Sequence, residues 1–170
     1  GGLSEEQVTI LQRALSAKDY FLLQGPPGTG KTSKMLRTMV DYLYNQTEET
    51  IVLLAFTNRA TDEICQKIES VCEGNFIRLG SFGEESEFWD KSLRSENDLV
   101  KLRARLNQNR VFVSTVASFY QHFNLIKNYD TLIVDEASQL LEPALCGILP
   151  KFKRFILIGD EKQLPAVVTQ

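Results

Sequence analysis

Histidine, tryptophan, methionine and cysteine are scarce in this 170-residue chain, which holds one His, one Trp, two Met and three Cys. A single histidine and the lack of any CxxC pair leave too few ligands for a structural zinc site. An odd set of cysteines, Cys65, Cys72 and Cys146, does not make a disulfide framework, so reduced thiols are expected. Long apolar runs are missing too. Nothing approaches the ~20 residues a helix needs to cross a bilayer, and no signal-peptide pattern is visible, so no membrane association is expected. These features together suggest an intracellular setting, cytoplasmic or nuclear/nucleoid. Neither sign of charge dominates: 19 Lys and Arg against 22 Asp and Glu give −3. A uniformly basic coat for nucleic acid is therefore excluded, and any polyanion site has to be local.

What is present is ordinary globular material, 43% hydrophobic and 24% charged, with no repeats and no linker, and it argues for one domain over residues 3–170. Short apolar runs alternate with longer amphipathic stretches, which predicts an α/β fold with a central parallel sheet flanked by helices. Ser4 and Gln7 form a capping box for an opening helix. Strands are expected at Tyr20–Leu23, Ile51–Phe56, Phe76–Leu79, Val111–Val113, Thr131–Val134 and Arg154–Ile158. Helical stripes are read from Met35, Leu36, Met39, Val40 and Leu43, from Ile64, Ile68 and Val71, and from Leu99, Leu102 and Leu106. Residues 81–98 break the pattern. Acids crowd around Phe88 and Trp89 there, and the segment is expected to be an exposed acidic insertion.

Gly25-Pro26-Pro27-Gly28-Thr29-Gly30-Lys31-Thr32 fits GxxxxGK[ST] between a strand and a helix. Small residues let backbone N–H groups close around phosphates, at the positive end of the following helix. The two prolines have no N–H to give, so the donors are expected from Gly28 through Thr32. Lys31 supplies a cation for the β- and γ-phosphates, and the Thr32 hydroxyl is placed to ligate Mg²⁺. Leu132-Ile133-Val134-Asp135-Glu136 is an apolar strand ending in two acids. Asp135 would hold the metal, and Glu136 would orient and deprotonate an attacking water. Ile156-Leu157-Ile158-Gly159-Asp160 is a second such strand, followed by Gln163, a neutral amide suited to sensing the γ-phosphate.

In this order, residues 25–32, Asp135-Glu136-Ala137-Ser138-Gln139 and Gly159-Asp160-Glu161-Lys162-Gln163-Leu164-Pro165 resemble motifs I, II and III of superfamily 1 helicases. The DEASQ spelling is most similar to the branch with the nonsense-mediated-decay helicase and the Dna-two-type replication helicases. The resemblance covers nearly the whole chain and implies a RecA-like P-loop domain using ATP and Mg²⁺. It implies an adenine-reading role for Gln7, which competes with the capping role of the same amide. Ala55 to Ala60 resembles motif Ia and Val113 to Val116 the next strand-end motif. By resemblance, Thr57, Asn58, Arg59, Ser114 and Thr115 would hold single-stranded DNA or RNA by its backbone, although the same residues suit helix capping. Phe88 and Trp89 are read as a hydrophobic anchor or surface feature, because flanking acids repel phosphates, and His122 is read as ordinary packing.

A superfamily 1 motor has a second RecA-like domain, which supplies an arginine finger. This chain ends soon after motif III, so it is expected to be the first motor domain of a larger protein. Alone it is expected to be monomeric and weakly active or inactive as an ATPase. Two other classes stay open: an AAA-type remodelling ATPase and a P-loop binding module that does not act on nucleic acid. A nucleotide kinase would want an Arg-rich lid where this chain is acidic.

Overall fold

The computed structural model describes residues 20–25, 31–135 and 143–160, with side chains for 33–135 and 143–159. The expected opening helix at Ser4 and Gln7 lies outside the described residues. Six strands form one sheet: β1 (Tyr20–Gly25), β2 (Ile51–Ala55), β3 (Ile77–Leu79), β4 (Val111–Thr115), β5 (Thr131–Val134) and β6 (Arg154–Asp160). The helices are α1 (Lys31–Gln46), α2 (Asn58–Ile68), α3 (Leu99–Gln108), α4 (Val116–Gln121) and α5 (Pro143–Ile148). The strand order is β1-β6-β5-β2-β4-β3, and every pairing is parallel. The parallel α/β architecture is the expected one.

A parallel sheet is covered on both faces, and period-2 alternation divides its residues between two cores. Ile51, Leu53, Ala55, Val111, Val113, Ile133, Ile156 and Ile158 face one way, against Met35, Leu36, Met39, Val40 and Leu43 of α1 and Ile64, Cys65 and Ile68 of α2. Val52, Leu54, Phe112, Leu132, Val134 and Leu157 face the other, against Val116 and Phe119 of α4 and Leu145 and Ile148 of α5. The stripe of α1 thus fills the core its spacing predicts. Helix α2 ends at Ile68, and Val71 packs from the turn beyond it. The chain reverses there through Glu73 and Gly74, both at positive φ.

Two elements depart from the sequence pattern. Helix α3 has no buried residue: Leu99 is 78% exposed, and only Leu106 rests partly on the second core. Its start comes instead from Asp98, whose Oδ1 accepts from the N–H groups of Val100 and Lys101. Residues 81–98 are not simply exposed. Phe88 is 3% exposed and joins the first core beside Phe76, with ring centroids 6.2 Å apart, while the acids around it stay at the surface or half-buried. Phe88 in the first core and Leu93, partly buried against the second, fix the acidic segment to the sheet. His122 is an exposed cap at the end of α4, its Nδ1 2.7 Å from Ser118 O, rather than a packed side chain.

Candidate functional site along the carboxyl edge of the sheet

Because all six strands are parallel, their carboxyl ends share one edge, where open α/β sheets bind ligands. Gly25 pairs with Asp160 at the end of β6, and Val134 of β5 pairs with Leu157 of β6. One strand, β6, therefore separates the end of β1 from the end of β5. Two strand spacings separate the ends sideways by about 10 Å, and because Val134 is level with Leu22, Gly25 reaches three residues further along, so the two ends stand about 14 Å apart. Residues 26–30 join the end of β1 to the first residue of α1, Lys31, and Thr32 follows it. Core contacts from Met35 to Leu43 pin that helix, so its amino end is held at the sheet edge.

Asp135 stands one residue past β5. Its N–H donates to Leu54 O at 2.8 Å, extending the strand pairing by one step and fixing the backbone from which its half-buried carboxylate projects. Of the other residues expected around a nucleotide, Gln7, Gly28, Thr29, Gly30, Glu136 and Gln163 lie outside the described residues. Among the described residues no three His, Cys, Asp or Glu side chains cluster as a metal cage. The donors proposed from the sequence, the Thr32 hydroxyl and the Asp135 carboxylate, are hard oxygens. Such a set suits Mg²⁺, which takes one or two protein oxygens and completes its shell with phosphates and water.

The other half of the edge, at the ends of β2, β4 and β3, carries the five residues expected to meet a strand, and the structure sorts them. Thr57 is exposed and caps α2, its Oγ1 accepting from Ala60 N at 3.1 Å. Asn58 is exposed, and the side chain of Arg59 is 92% exposed, 3.5 Å from Glu63 on the next turn. Ser114 must be corrected. It is fully buried and donates to Thr115 O at 2.8 Å, because β4 lies between β2 and β3 and both of its faces are covered. Thr115 is buried as well, with its Oγ1 accepting from Ser118 N at 3.1 Å as the cap of α4. Three side chains, Thr57, Asn58 and Arg59, remain open to solvent at this edge.

Sequence reasoning missed Arg78. This β3 residue is fully buried behind Asn58, donating from Nη2 to Asn58 Oδ1 at 3.1 Å and from Nε to Asp62 Oδ1 at 3.2 Å. The available signal was a lone charge inside the apolar run Phe76–Leu79, two residues before Gly80. The cysteines of the first core, Cys65 and Cys72, are both pushed up to about 12, chiefly by burial, so neither offers a thiolate near neutral pH.

A parallel sheet with a strand ending at Gly25 and a helix starting at Lys31, and an acid past the strand two places away, defines the RecA-like class of P-loop domains. A family model described as AAA domain matches residues 7–169; the chain belongs to that family, as a motor domain of the superfamily 1 helicase type. It is 33% identical to the DNA replication ATP-dependent helicase/nuclease DNA2 of Gallus gallus and 35% identical to that of Xenopus laevis. Each match covers 98% of this chain. The chain spans only 17% and 16% of those relatives' lengths. Among solved structures, the nuclease-deletion mutant of the Type ISP restriction-modification enzyme LlaGI, in complex with a DNA substrate mimic, aligns at TM-score 0.64 and 18% identity. That alignment covers 93% of this chain and 17% of the other. The UvsW helicase from bacteriophage T4 aligns at TM-score 0.59 and 15% identity, over 94% of this chain and 53% of that one. At these identities the structural matches speak to the fold alone. No helix among the described residues is long and apolar enough to cross a membrane.

Proposed function

We propose that the chain is the nucleotide-binding motor domain of an ATP-dependent helicase that moves on single-stranded DNA, working with a second RecA-like domain. The observation carrying this reading is the shared carboxyl edge. The end of β1, the start of α1 and Asp135 stand at one part of it, and the exposed turn at Thr57–Arg59 stands further along. The family match and the replication-helicase names of the curated relatives support it, and favour DNA over RNA and a nuclear or other intracellular setting.

In this reading the backbone N–H groups of Gly28, Thr29 and Gly30 surround the phosphates, with Gly25 giving the turn its room. Lys31 neutralises the β- and γ-phosphates, and Gln7 reads adenine. Thr32 and Asp135 would hold Mg²⁺, which supplies charge neutralisation on the phosphates when bound. Glu136 takes the proton of the attacking water, and Gln163 hydrogen-bonds the γ-phosphate end of the site. Binding closes two domains on the strand, and hydrolysis releases them. An arginine finger from the partner domain is worth roughly 10³–10⁵ in rate in P-loop systems, so this monomeric domain alone turns over slowly.

The test compares Lys31→Ala and Glu136→Gln by nucleotide titration and by ATPase rate, with and without single-stranded DNA or RNA. Lys31→Ala is expected to lose nucleotide affinity. Glu136→Gln is expected to keep that affinity and lose about 10²–10⁴ in turnover, the usual share of a general base. Unchanged turnover in Glu136→Gln would favour a non-catalytic binding module. Fast, strand-stimulated turnover by the domain alone would contradict the two-domain motor.

A further inference from the structure

The largest fully buried side chain among the described residues belongs to an arginine. Arg78 is 0% exposed although β3 is the edge strand. A buried guanidinium is costly unless its donors and its flat faces are matched. Here Nε donates to Asp62 Oδ1 at 3.2 Å, Nη2 donates to Asn58 Oδ1 at 3.1 Å, and Nη1 donates to Leu79 O. The Phe82 ring covers the plane, its centroid 4.5 Å from Cζ. Gly80 makes the room. It sits at φ +145°, and a Cβ there would come 2.5 Å from Nη1.

An apolar side chain could fill this space without the desolvation cost, so the choice of arginine calls for a reason beyond packing. Only a planar fork can reach Asp62 and Asn58 together. A guanidinium has donors and no acceptor, so the Asn58 amide must turn its oxygen inward. Its NH₂ is then committed to the exposed side, as a donor, which is the group a phosphate oxygen needs. On the far side the contacts continue: Phe82 meets Trp89 edge-on at 6.3 Å, and the Arg94 guanidinium lies over that indole at 5.3 Å. One line of contacts thus runs from Asn58 through Arg78 into the anchored 81–98 segment.

We infer that Arg78 is a positioning residue for the strand-binding turn at 57–59, setting the Asn58 amide donor toward the phosphate path and tying that turn to residues 81–98 through Phe82. The inference rests on the proposed reading of that turn as a strand contact. The test measures binding of a labelled single-stranded oligodeoxythymidine to wild type, Asn58→Ala, Arg59→Ala, Arg78→Lys and the Asn58→Ala/Arg78→Lys double variant. ATP affinity and melting temperature are followed alongside. Lysine keeps the charge and loses the fork, so Arg78→Lys is expected to bind the strand about tenfold more weakly, with ATP affinity unchanged. In the Asn58→Ala background the same substitution is expected to cost nothing further, since its target is already gone.

Additive losses, or a loss of strand affinity matched by loss of ATP affinity, would make Arg78 merely structural and overturn the inference. An Arg78→Lys variant that binds like wild type while Asn58→Ala does not would overturn it alone. If Asn58→Ala and Arg59→Ala both bind like wild type, the reading of the turn fails first. Should Arg78→Lys not fold, Phe82→Leu substitutes for it, because Phe82 is only half-buried and its removal frees one face of the guanidinium. A strand-affinity loss that vanishes in the Asn58→Ala background supports the inference, and a loss that persists there, or no loss, overturns it.

Discussion

Thr57 holds a helix together and, in the proposed reading, meets the strand; two substitutions separate these roles. Its Oγ1 accepts from Ala60 N at 3.1 Å, satisfying one of the unpaired donors that open α2. Thr57→Ala removes that cap at a cost of about 1 kcal/mol. For a domain of this size that is a melting-temperature drop of about 2–4 °C. Thr57→Asp keeps an oxygen acceptor and puts a negative charge at the positive end of the helix, so its stability should match or exceed wild type. For strand binding the order reverses. A carboxylate about 6 Å from a phosphate costs ~0.7 kcal/mol with bulk-water screening and ~2.8 kcal/mol at an effective dielectric of 20. That is a loss of affinity between about threefold and hundredfold. Alanine and aspartate both give up one neutral hydrogen bond, about 1 kcal/mol and so roughly fivefold, and the aspartate's repulsion comes on top of that loss. Thermal melts and fluorescence anisotropy with a labelled oligodeoxythymidine read both quantities, and the Asp deficit should shrink as salt is raised. If Thr57→Asp binds like wild type at low salt, residues 57–59 do not lie on the phosphate path. If Thr57→Ala melts with wild type, the cap carries no stability.

Phe88→Ala should lower unfolding stability by about 3 kcal/mol or more, because the ring is the buried anchor of the acidic segment; a loss below ~1 kcal/mol in urea titration would mean the segment is not anchored there. A thiol reagent at neutral pH should label exposed Cys146 in the native protein and spare Cys65 and Cys72 until denaturant is added. Fast native labelling of all three would contradict the burial. With ordinary values of 9.0 raised to about 12, the two buried thiols contribute stability that is complete below pH 9.0 and is lost as pH rises toward 12. Replacing both by Ala should flatten that alkaline slope in melts taken across the range. Gly80→Ala should cost about 1–3 kcal/mol, since a side chain at φ +145° is strained and meets the Arg78 guanidinium; retention of both full stability and strand affinity would refute the tight seat assigned to Arg78.

Much of the fold was legible because its signals are local. Ile51–Ala55 and Thr131–Val134 announce themselves as short continuous apolar runs, and the 3–4 spacing from Met35 to Leu43 marks a helix that covers them. The phosphate-loop pattern and the acid after β5 were legible for the same reason, since each is a short string beside a recognisable strand. The spacing of Leu99, Leu102 and Leu106 marked the helix that forms there, but spacing says nothing about whether a partner surface lies opposite Leu99, and α3 has none for that position. Ser114 misled in the opposite sense. A hydroxyl at a strand end looks available until another strand closes over it.

The sequence by itself determined the α/β class and the periods of its elements, because backbone preference and side-chain period act within a few residues. Only the tertiary structure decided the order β1-β6-β5-β2-β4-β3, and with it how far apart the end of β1 and Asp135 stand. It alone buried Ser114, turned Phe88 into an anchor and enclosed Arg78 between Asp62, Asn58 and Phe82. Burial and charge pairing depend on segments that lie far away in the chain, and no local pattern encodes which of them will meet.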